Sequence, residues 1–83
     1  MKALYFASIR ERIGRGDEEI APPATVRTIA ELVQWLSERD EAYAVAFANR
    51  ASVRAAIDRR HARPDSPIGS AREIAFFPPM TGG

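Results

Sequence analysis

The chain closes with EIAFFPPMTGG, residues 73–83, and this stretch decides both the fold and the candidate site. Residues 72–77 are rich in apolar and aromatic side chains, which favours a strand. The proline pair 78–79 forbids continuation as a paired central strand and keeps the chain extended as it leaves the sheet. The glycine pair 82–83 has no side chains, so it fits a channel too narrow for other residues. The sequence therefore predicts a final strand that carries a tail suited to insertion.

Alternation along this strand predicts which side chains face the core, because adjacent strand residues point to opposite faces. Ile74 and Phe76 share one face and are expected in the core with the main helix. Phe77 points with Ala75 to the other face, directly before the tail.

Residues 2–8 predict a first strand in which Leu4 and Phe6 share one face with a lysine, so this face is partly wet. If the first and last strands are neighbours, Leu4, Phe6 and Phe77 form an exposed apolar patch at the root of the tail. Such patches usually mark partner surfaces. The alternative, a core position for Phe6, stays open because Tyr5 on the opposite face is an equally good core residue.

Residues 26–39 predict the main helix, because apolar residues recur there at intervals of three, four and seven. The residues of this stripe are Val26, Ile29, Leu32, Val33 and Leu36. Thr25 is expected to cap the helix, without a full capping box because Thr28 stands where the box requires a glutamate.

Four weaker elements complete the pattern, and their order predicts the fold class. They are a helical turn at 9–13, a strand at 17–21, a short helix at 41–48 and a strand at 53–58. The order hairpin, helix, strand, strand predicts an α+β protein with a mixed sheet, its first and last strands side by side in the middle. This is the β-grasp (ubiquitin-like) arrangement, with one main helix across the sheet. We expect one domain, residues 1–78, and a flexible C-terminal tail, residues 79–83.

The composition excludes several classes of function. The chain of 83 residues has no cysteine, which excludes disulfides, thiolate metal sites and a side-chain persulfide. The net charge of +1, from 12 basic and 11 acidic residues, gives no strong field for nucleic acid or an anionic membrane, so neither is an expected partner. No apolar run has the length of a membrane span, and we expect a cytoplasmic protein.

A self-contained active site is not indicated by the remaining residues. His61 is the only histidine, so no metal site is predicted. The carboxylate pairs Glu18-Glu19 and Asp40-Glu41 are expected on exposed faces. Gly83 is the better candidate, because a terminal glycine leaves its carboxylate sterically open. Once adenylated, such a carboxylate is a good acyl donor, and sulfide can displace AMP to leave a thiocarboxylate.

Both ends of the chain resemble one family, the small subunits of molybdopterin synthase. The opening Leu4-Tyr5-Phe6-Ala7-Ser8-Ile9-Arg10-Glu11, with Gly14 soon after, is similar to their start, and FFPP-x-x-GG at 76–83 is similar to their C-terminal signature. The resemblance implies that an ATP-dependent, E1-like adenylyltransferase activates Gly83, which becomes a thiocarboxylate. The tail, Gly82 included, would then enter the large subunit and donate sulfur to a pyranopterin precursor.

The resemblance also implies a division of labour. The large subunit supplies the acid/base catalysis in a heterotetramer, and the small subunit is not catalytic alone and binds no cofactor, ATP being used by the activating enzyme. The residues expected to bind partners are Phe6, His61, Phe77, Pro78, Pro79, Met80 and Thr81.

Some positions depart from the family pattern. Ile57-Asp58 replaces a frequent Val-Asn, and His61 stands where an apolar, partner-facing residue is common, so it is either a contact or a solvated strand residue. A bare Gly-Gly end also fits sulfur carriers for thiamine, cysteine or tRNA thiolation, and a ubiquitin-like modifier joined to lysines of other proteins. These alternatives stay open from the sequence.

Overall fold

A five-stranded mixed sheet carries the fold in the computed structural model, which describes residues 1–79. Its strands are β1 (Lys2–Tyr5), β2 (Asp17–Glu19), β3 (Arg54–Ile57), β4 (Arg60–Ala62) and β5 (Glu73–Phe77). The spatial order is β2-β1-β5-β3-β4, in which β1 and β5 run parallel and the other neighbours are antiparallel. The predicted central position of the first and last strands is confirmed, and with it the α+β, β-grasp fold class.

The core lies between one face of this sheet and the helices. The helices are α1 (Ala7–Ile13), α2 (Ile29–Ser37) and α3 (Glu41–Ala46), followed by a 3-10 turn at Arg50–Ser52. The register places Ala3 beside Ile74 and Tyr5 beside Phe76, and all four side chains are buried. Phe47 packs edge-on against Phe76 with 5.3 Å between ring centroids. The predicted parity of both central strands is therefore confirmed.

The cap predicted for the main helix is wrong, because α2 begins three residues later than expected. Thr28, not Thr25, is the N-cap, and its hydroxyl accepts the backbone N–H of Glu31 at 3.2 Å. The Glu31 carboxylate in turn accepts the backbone N–H groups of Arg27 and Thr28. This is a full capping box, which satisfies N–H groups that the first helical turn leaves without partners.

The first strand is shorter than predicted and the helical turn after it is longer. β1 ends at Tyr5, and a complete helix, α1, replaces the single turn expected at 9–13. Ile9 on this helix is buried in the core, which explains why the helix extends further. Gly14 ends it in the left-handed conformation (φ 89°), and its N–H donates to the Arg10 carbonyl.

Strand β4 was not predicted, and a two-residue turn creates it. Asp58 (φ 47°) and Arg59 (φ 72°) lie between the paired residues Ile57 and Arg60, and both have the positive φ of a type I′ hairpin turn. The Asp58 carboxylate accepts the backbone N–H groups of Arg72 and Glu73, each at 3.0 Å. These bonds fasten the turn to the start of β5. Within residues 1–79, no helix combines the length and apolar character needed to cross a membrane.

Candidate functional site

The root of the C-terminal tail is the centre of the candidate site. β5 ends at Phe77, and both Pro78 and Pro79 follow as half-buried residues outside regular structure. The predicted roles of Met80, Thr81, Gly82 and Gly83 fall outside the described residues. The described part of the candidate site is the surface around the end of β5.

That surface is the sheet face opposite the helices, here called the open face. Leu4 lies beside Ala75 by register, and Ala75 lies beside Ala56 on β3. Phe6 keeps an extended backbone (φ −127°, ψ 154°), and its N–H donates to the Phe76 carbonyl, so alternation places Phe6 next to Phe77. The open face thus presents neighbouring apolar side chains where the tail begins.

Exposure distinguishes these side chains from the core. Phe6 is 46% exposed, one of the two most exposed large hydrophobic residues among those described, and Leu4 and Phe77 are half-buried. The open alternative of a core Phe6 is resolved in favour of exposure, because Tyr5 takes the core position at 1% exposure. Leu4, Phe6, Ala75 and Phe77 are called the apolar patch below. Such a patch beside a tail root has the character of a docking surface.

His61 extends the apolar patch across β3. It is exposed, it pairs with Ala56 in the β3–β4 register, and its ring meets Phe77 edge-on at 5.8 Å between centroids. The sequence left open whether His61 is only a solvated strand residue or a contact residue. The structure brings it to the open face, in contact with the aromatic residue that precedes the tail.

Glu18 contradicts the prediction that both residues of the Glu18-Glu19 pair are exposed. Its register partner is Ala3, so it points to the core face, and its side chain is only 7% exposed. Its Oε2 accepts hydrogen bonds from the Tyr5 hydroxyl at 2.7 Å, the Tyr43 hydroxyl at 2.5 Å and the Arg39 guanidinium at 3.0 Å. Its position follows from pairing with the buried Ala3 across the β1–β2 hairpin, which the sequence of β2 alone does not mark.

The protonation states in this cluster follow from the same contacts. Burial alone would raise the pKa of Glu18, but the hydrogen bonds from Tyr43, Tyr5 and Arg39 outweigh it and lower that pKa below its usual range. Burial, followed by the hydrogen bond to Glu18, raises the pKa of both Tyr5 and Tyr43. Glu18 therefore stays ionised while both tyrosines stay neutral. The cluster joins β1, β2 and α3 beneath the apolar patch.

Asp40, from the second predicted carboxylate pair, also has a structural role. Asp40 caps α3, and its Oδ1 accepts the backbone N–H groups of Ala42 and Tyr43. In residues 1–79, no three histidine, aspartate or glutamate side chains are placed to share a metal ion. Both carboxylate pairs therefore include a residue that stabilises the fold, Glu18 in the buried cluster and Asp40 at the start of α3.

Comparison with known proteins agrees with this geometry. The ThiS family profile matches residues 3–83. The chain belongs to the ThiS family. This ThiS-family chain is 34% identical over 83 residues to the molybdopterin synthase sulfur carrier subunit of Escherichia coli (strain K12), covering 100% of the chain and 99% of that protein. It is 30% identical over 87 residues to the protein of the same name from Haemophilus influenzae, with 100% and 99% covered. These matches confirm the resemblance seen at both chain ends.

Solved structures show the same fold for the ThiS-family chain. The protein described as subunit 1 of a molybdopterin converting factor from Pyrococcus furiosus superposes with a TM-score of 0.74 at 25% identity, over 95% of each chain. SAMP1 from Haloferax volcanii superposes with a TM-score of 0.73 at 20% identity, over 100% of this chain and 98% of that one. At 20% identity, the similarity to SAMP1 supports the fold alone.

Proposed function

We propose that this chain is a sulfur carrier subunit of molybdopterin synthase and acts in the biosynthesis of the molybdenum cofactor. The observation that carries the proposal is the apolar patch, with His61 beside it, at the end of β5 where Pro78-Pro79 follows Phe77. Both similar bacterial proteins bear this name, and they match the chain over its full length. The partner is the large subunit of the synthase, and the cytoplasm is the expected location.

In the proposed reaction, the C-terminal carboxylate of Gly83 is the group that carries sulfur. An E1-like adenylyltransferase joins it to AMP from ATP and releases pyrophosphate, and sulfide then displaces AMP from the acyl adenylate to leave a thiocarboxylate. In the synthase the thiocarboxylate sulfur forms a bond to carbon of the pyranopterin precursor, and water then hydrolyses the acyl–sulfur bond, which leaves the sulfur on the pterin and returns Gly83 to the carboxylate. The chain has no cysteine, so no side-chain thiol competes for this role.

Docking and delivery are separate tasks in this proposal. The apolar patch binds the large subunit, and the glycine pair 82–83 fits a channel too narrow for side chains. Four residues beyond Pro79 span at most about 14 Å when fully extended, so the sulfur acceptor must lie within that distance of the docked surface. Proton transfers at the acceptor then fall to side chains of the large subunit.

Intact-mass measurement tests the sulfur-carrier chemistry. The chain is co-produced with its adenylyltransferase and a sulfur source, and we expect the mass increase of one oxygen-to-sulfur exchange, located at Gly83 by fragmentation. The matched control carries one added leucine after Gly83, which should block activation and leave folding unchanged. Unmodified mass in the natural chain, with an active adenylyltransferase, would refute the proposal.

Recovery of partners then decides the pathway. Copurification of the synthase large subunit, and conversion of the pyranopterin precursor in its presence, are the expected results. A thiocarboxylated chain that copurifies with a thiazole-forming, cysteine-forming or tRNA-thiolating enzyme instead would keep the chemistry and reassign the pathway. An isopeptide bond from Gly83 to lysines of other proteins would assign a modifier role.

A further inference from the structure

The β3–β4 hairpin and the turn that follows it carry a small excess of positive charge, with three arginines against the two aspartates Asp58 and Asp65 within residues 58–65. Arg59, Arg60 and Arg63 are exposed, and none of them makes an ion pair within the described range 1–79. The acid in their midst, Asp58, directs its carboxylate to the backbone N–H groups of Arg72 and Glu73 instead. Arg59, His61 and Arg63 are called the basic hairpin.

The opposite edge of the sheet does not mirror this excess. There, on β2, Asp17 lies 3.6 Å from the Lys2 ammonium, and Glu19 lies 2.8 Å from the amino group of Met1. Acidic and basic groups are therefore matched along that edge. Since the whole chain has a net charge of only +1, the basic hairpin is a local feature and not part of a general positive field.

The conformation of Arg59 is one that the turn alone does not favour for an arginine. Its φ of 72° lies in the left-handed region, and this second turn position most often holds glycine in type I′ turns. Non-glycine residues in this region are strained, and such strain tends to persist at functional sites. A glycine would make the same turn without strain and without charge.

The basic hairpin is continuous with the apolar patch through the contact between His61 and Phe77. Arg59 and Arg63 flank His61 along the chain on either side. Arg60 differs, because it pairs with Ile57, which packs against the core, so alternation turns Arg60 to the helix side of the sheet. The two sides of one short hairpin thus carry arginines with different access to a partner on the open face.

We propose that the basic hairpin receives an acidic surface of the same protein that binds the apolar patch, and that it steers and orients this docking. The inference rests on the proposed function, in which that protein is the large subunit. Charges at the rim of an interface act mainly on the association rate and on orientation. A polynucleotide is the less favoured occupant, since the hairpin adjoins an apolar surface and the chain lacks a general positive field.

Association kinetics of the full chain with the large subunit test this proposal. Arg63→Glu is expected to lower the association rate constant about tenfold at an ionic strength of about 0.1 M, with little change in the dissociation rate. The effect should shrink to less than about twofold at about 1 M salt, where the screening length falls to about 3 Å. Arg60→Glu makes the same charge change on the helix side of the sheet, so it is the matched control and should have a clearly smaller effect.

Each outcome has a defined meaning. Equal effects of Arg63→Glu and Arg60→Glu, or a loss that salt does not reduce, would overturn the role of the basic hairpin while leaving the proposed function intact. Tight binding of single-stranded RNA that Arg63→Glu abolishes, without a change in large-subunit association, would overturn it in favour of a polynucleotide. No binding of the unaltered chain to the large subunit would refute the proposed function itself. Thermal unfolding of both variants confirms that they are folded.

Discussion

Replacing Glu18 by alanine should destabilise the domain more than any other single removal of an acidic side chain. Three hydrogen bonds converge on one oxygen of this carboxylate, and two of them come from the buried tyrosines Tyr5 and Tyr43. Glu18→Ala leaves both hydroxyls without an acceptor, in a space that the shorter side chain does not fill. The neighbouring Glu19→Ala is the matched control, since the Glu19 side chain is 76% exposed and its carboxylate accepts from the amino group of Met1 at 2.8 Å.

The magnitude follows from those bonds. A hydrogen bond to a charged group contributes about 1.5–3 kcal/mol, and buried partners that lose it add their desolvation cost. The loss of the acceptor for two buried hydroxyls should therefore lower the free energy of unfolding by about 3–5 kcal/mol. Arg39 adds little to this loss because its side chain is 35% exposed. A domain of this size has a free energy of unfolding of about 4–12 kcal/mol, so Glu18→Ala approaches complete unfolding. Glu18→Gln keeps an oxygen acceptor for the tyrosines and should cost only about 1–2 kcal/mol.

Urea unfolding followed by circular dichroism measures these differences. We expect the order Glu18→Ala, Glu18→Gln, Glu19→Ala from most to least destabilised, with Glu19→Ala below about 1 kcal/mol. If Glu18→Ala and Glu19→Ala fall within about 0.5 kcal/mol of each other, the buried cluster does not stabilise the fold and the reasoning is wrong.

The pH dependence of the same variants has a definite sign. The pKa of Glu18 is lowered in the folded state, so its contribution is complete above the unfolded value of about 4.3 and is lost as pH falls toward the folded value. The difference in free energy of unfolding between the natural chain and Glu18→Gln should therefore become smaller at acidic pH. The raised pKa values of Tyr5 and Tyr43 affect stability at alkaline pH. Their contribution is complete below the unfolded value of about 10 and is lost as pH rises above it.

Three further predictions concern the turn, the cap and the patch. Arg59→Gly should raise the free energy of unfolding by about 1 kcal/mol in urea titrations, because glycine adopts the left-handed conformation of this position without strain. The same substitution should slow association with the large subunit. A loss of stability would contradict the strain argument. Thr28→Ala should lower the free energy of unfolding by about 1 kcal/mol, whereas Thr25→Ala should change it by less than about 0.5 kcal/mol. Equal effects of the two substitutions would contradict the assignment of Thr28 as the N-cap. Phe6→Ala should weaken binding of the large subunit at least about tenfold in calorimetry with little change in melting temperature, and unchanged affinity would remove the apolar patch from the interface.

The central strands could be predicted from the sequence because their pattern is local and strong. Ile74 and Phe76 alternate with Ala75 and Phe77 directly before two prolines, so the parity, the strand end and the exit point follow from a few adjacent residues. The capping box is equally local, because Glu31 follows Thr28 at the box spacing, whereas Thr25, at the start of the apolar stripe, has only Thr28 at that spacing. The information was in the sequence in both cases.

The remaining features depend on residues that are far apart in the chain. β4 has no apolar alternation of its own, and it exists because its turn is fastened through Asp58 to the start of β5, 14 and 15 residues later. The burial of Glu18 requires Tyr43, which lies 25 residues further along on α3. Neither arrangement leaves a periodic signal in a single sequence. The basic hairpin was likewise visible only as scattered arginines until β4 placed them beside the open face.

The division between folding and docking falls between two adjacent residues of β5. Phe76 has no exposed surface and packs with Tyr5 and Phe47, so a change there alters the core and with it every other property of the chain. Phe77, one step further, contacts His61 on the open face and leads directly into Pro78. Because the same strand anchors both side chains, the rigidity of the core fixes where the docking surface lies relative to the tail root. In the proposed function, a partner that binds at Phe77 would therefore receive the tail from a fixed starting point, and this placement is the contribution of the fold to sulfur delivery.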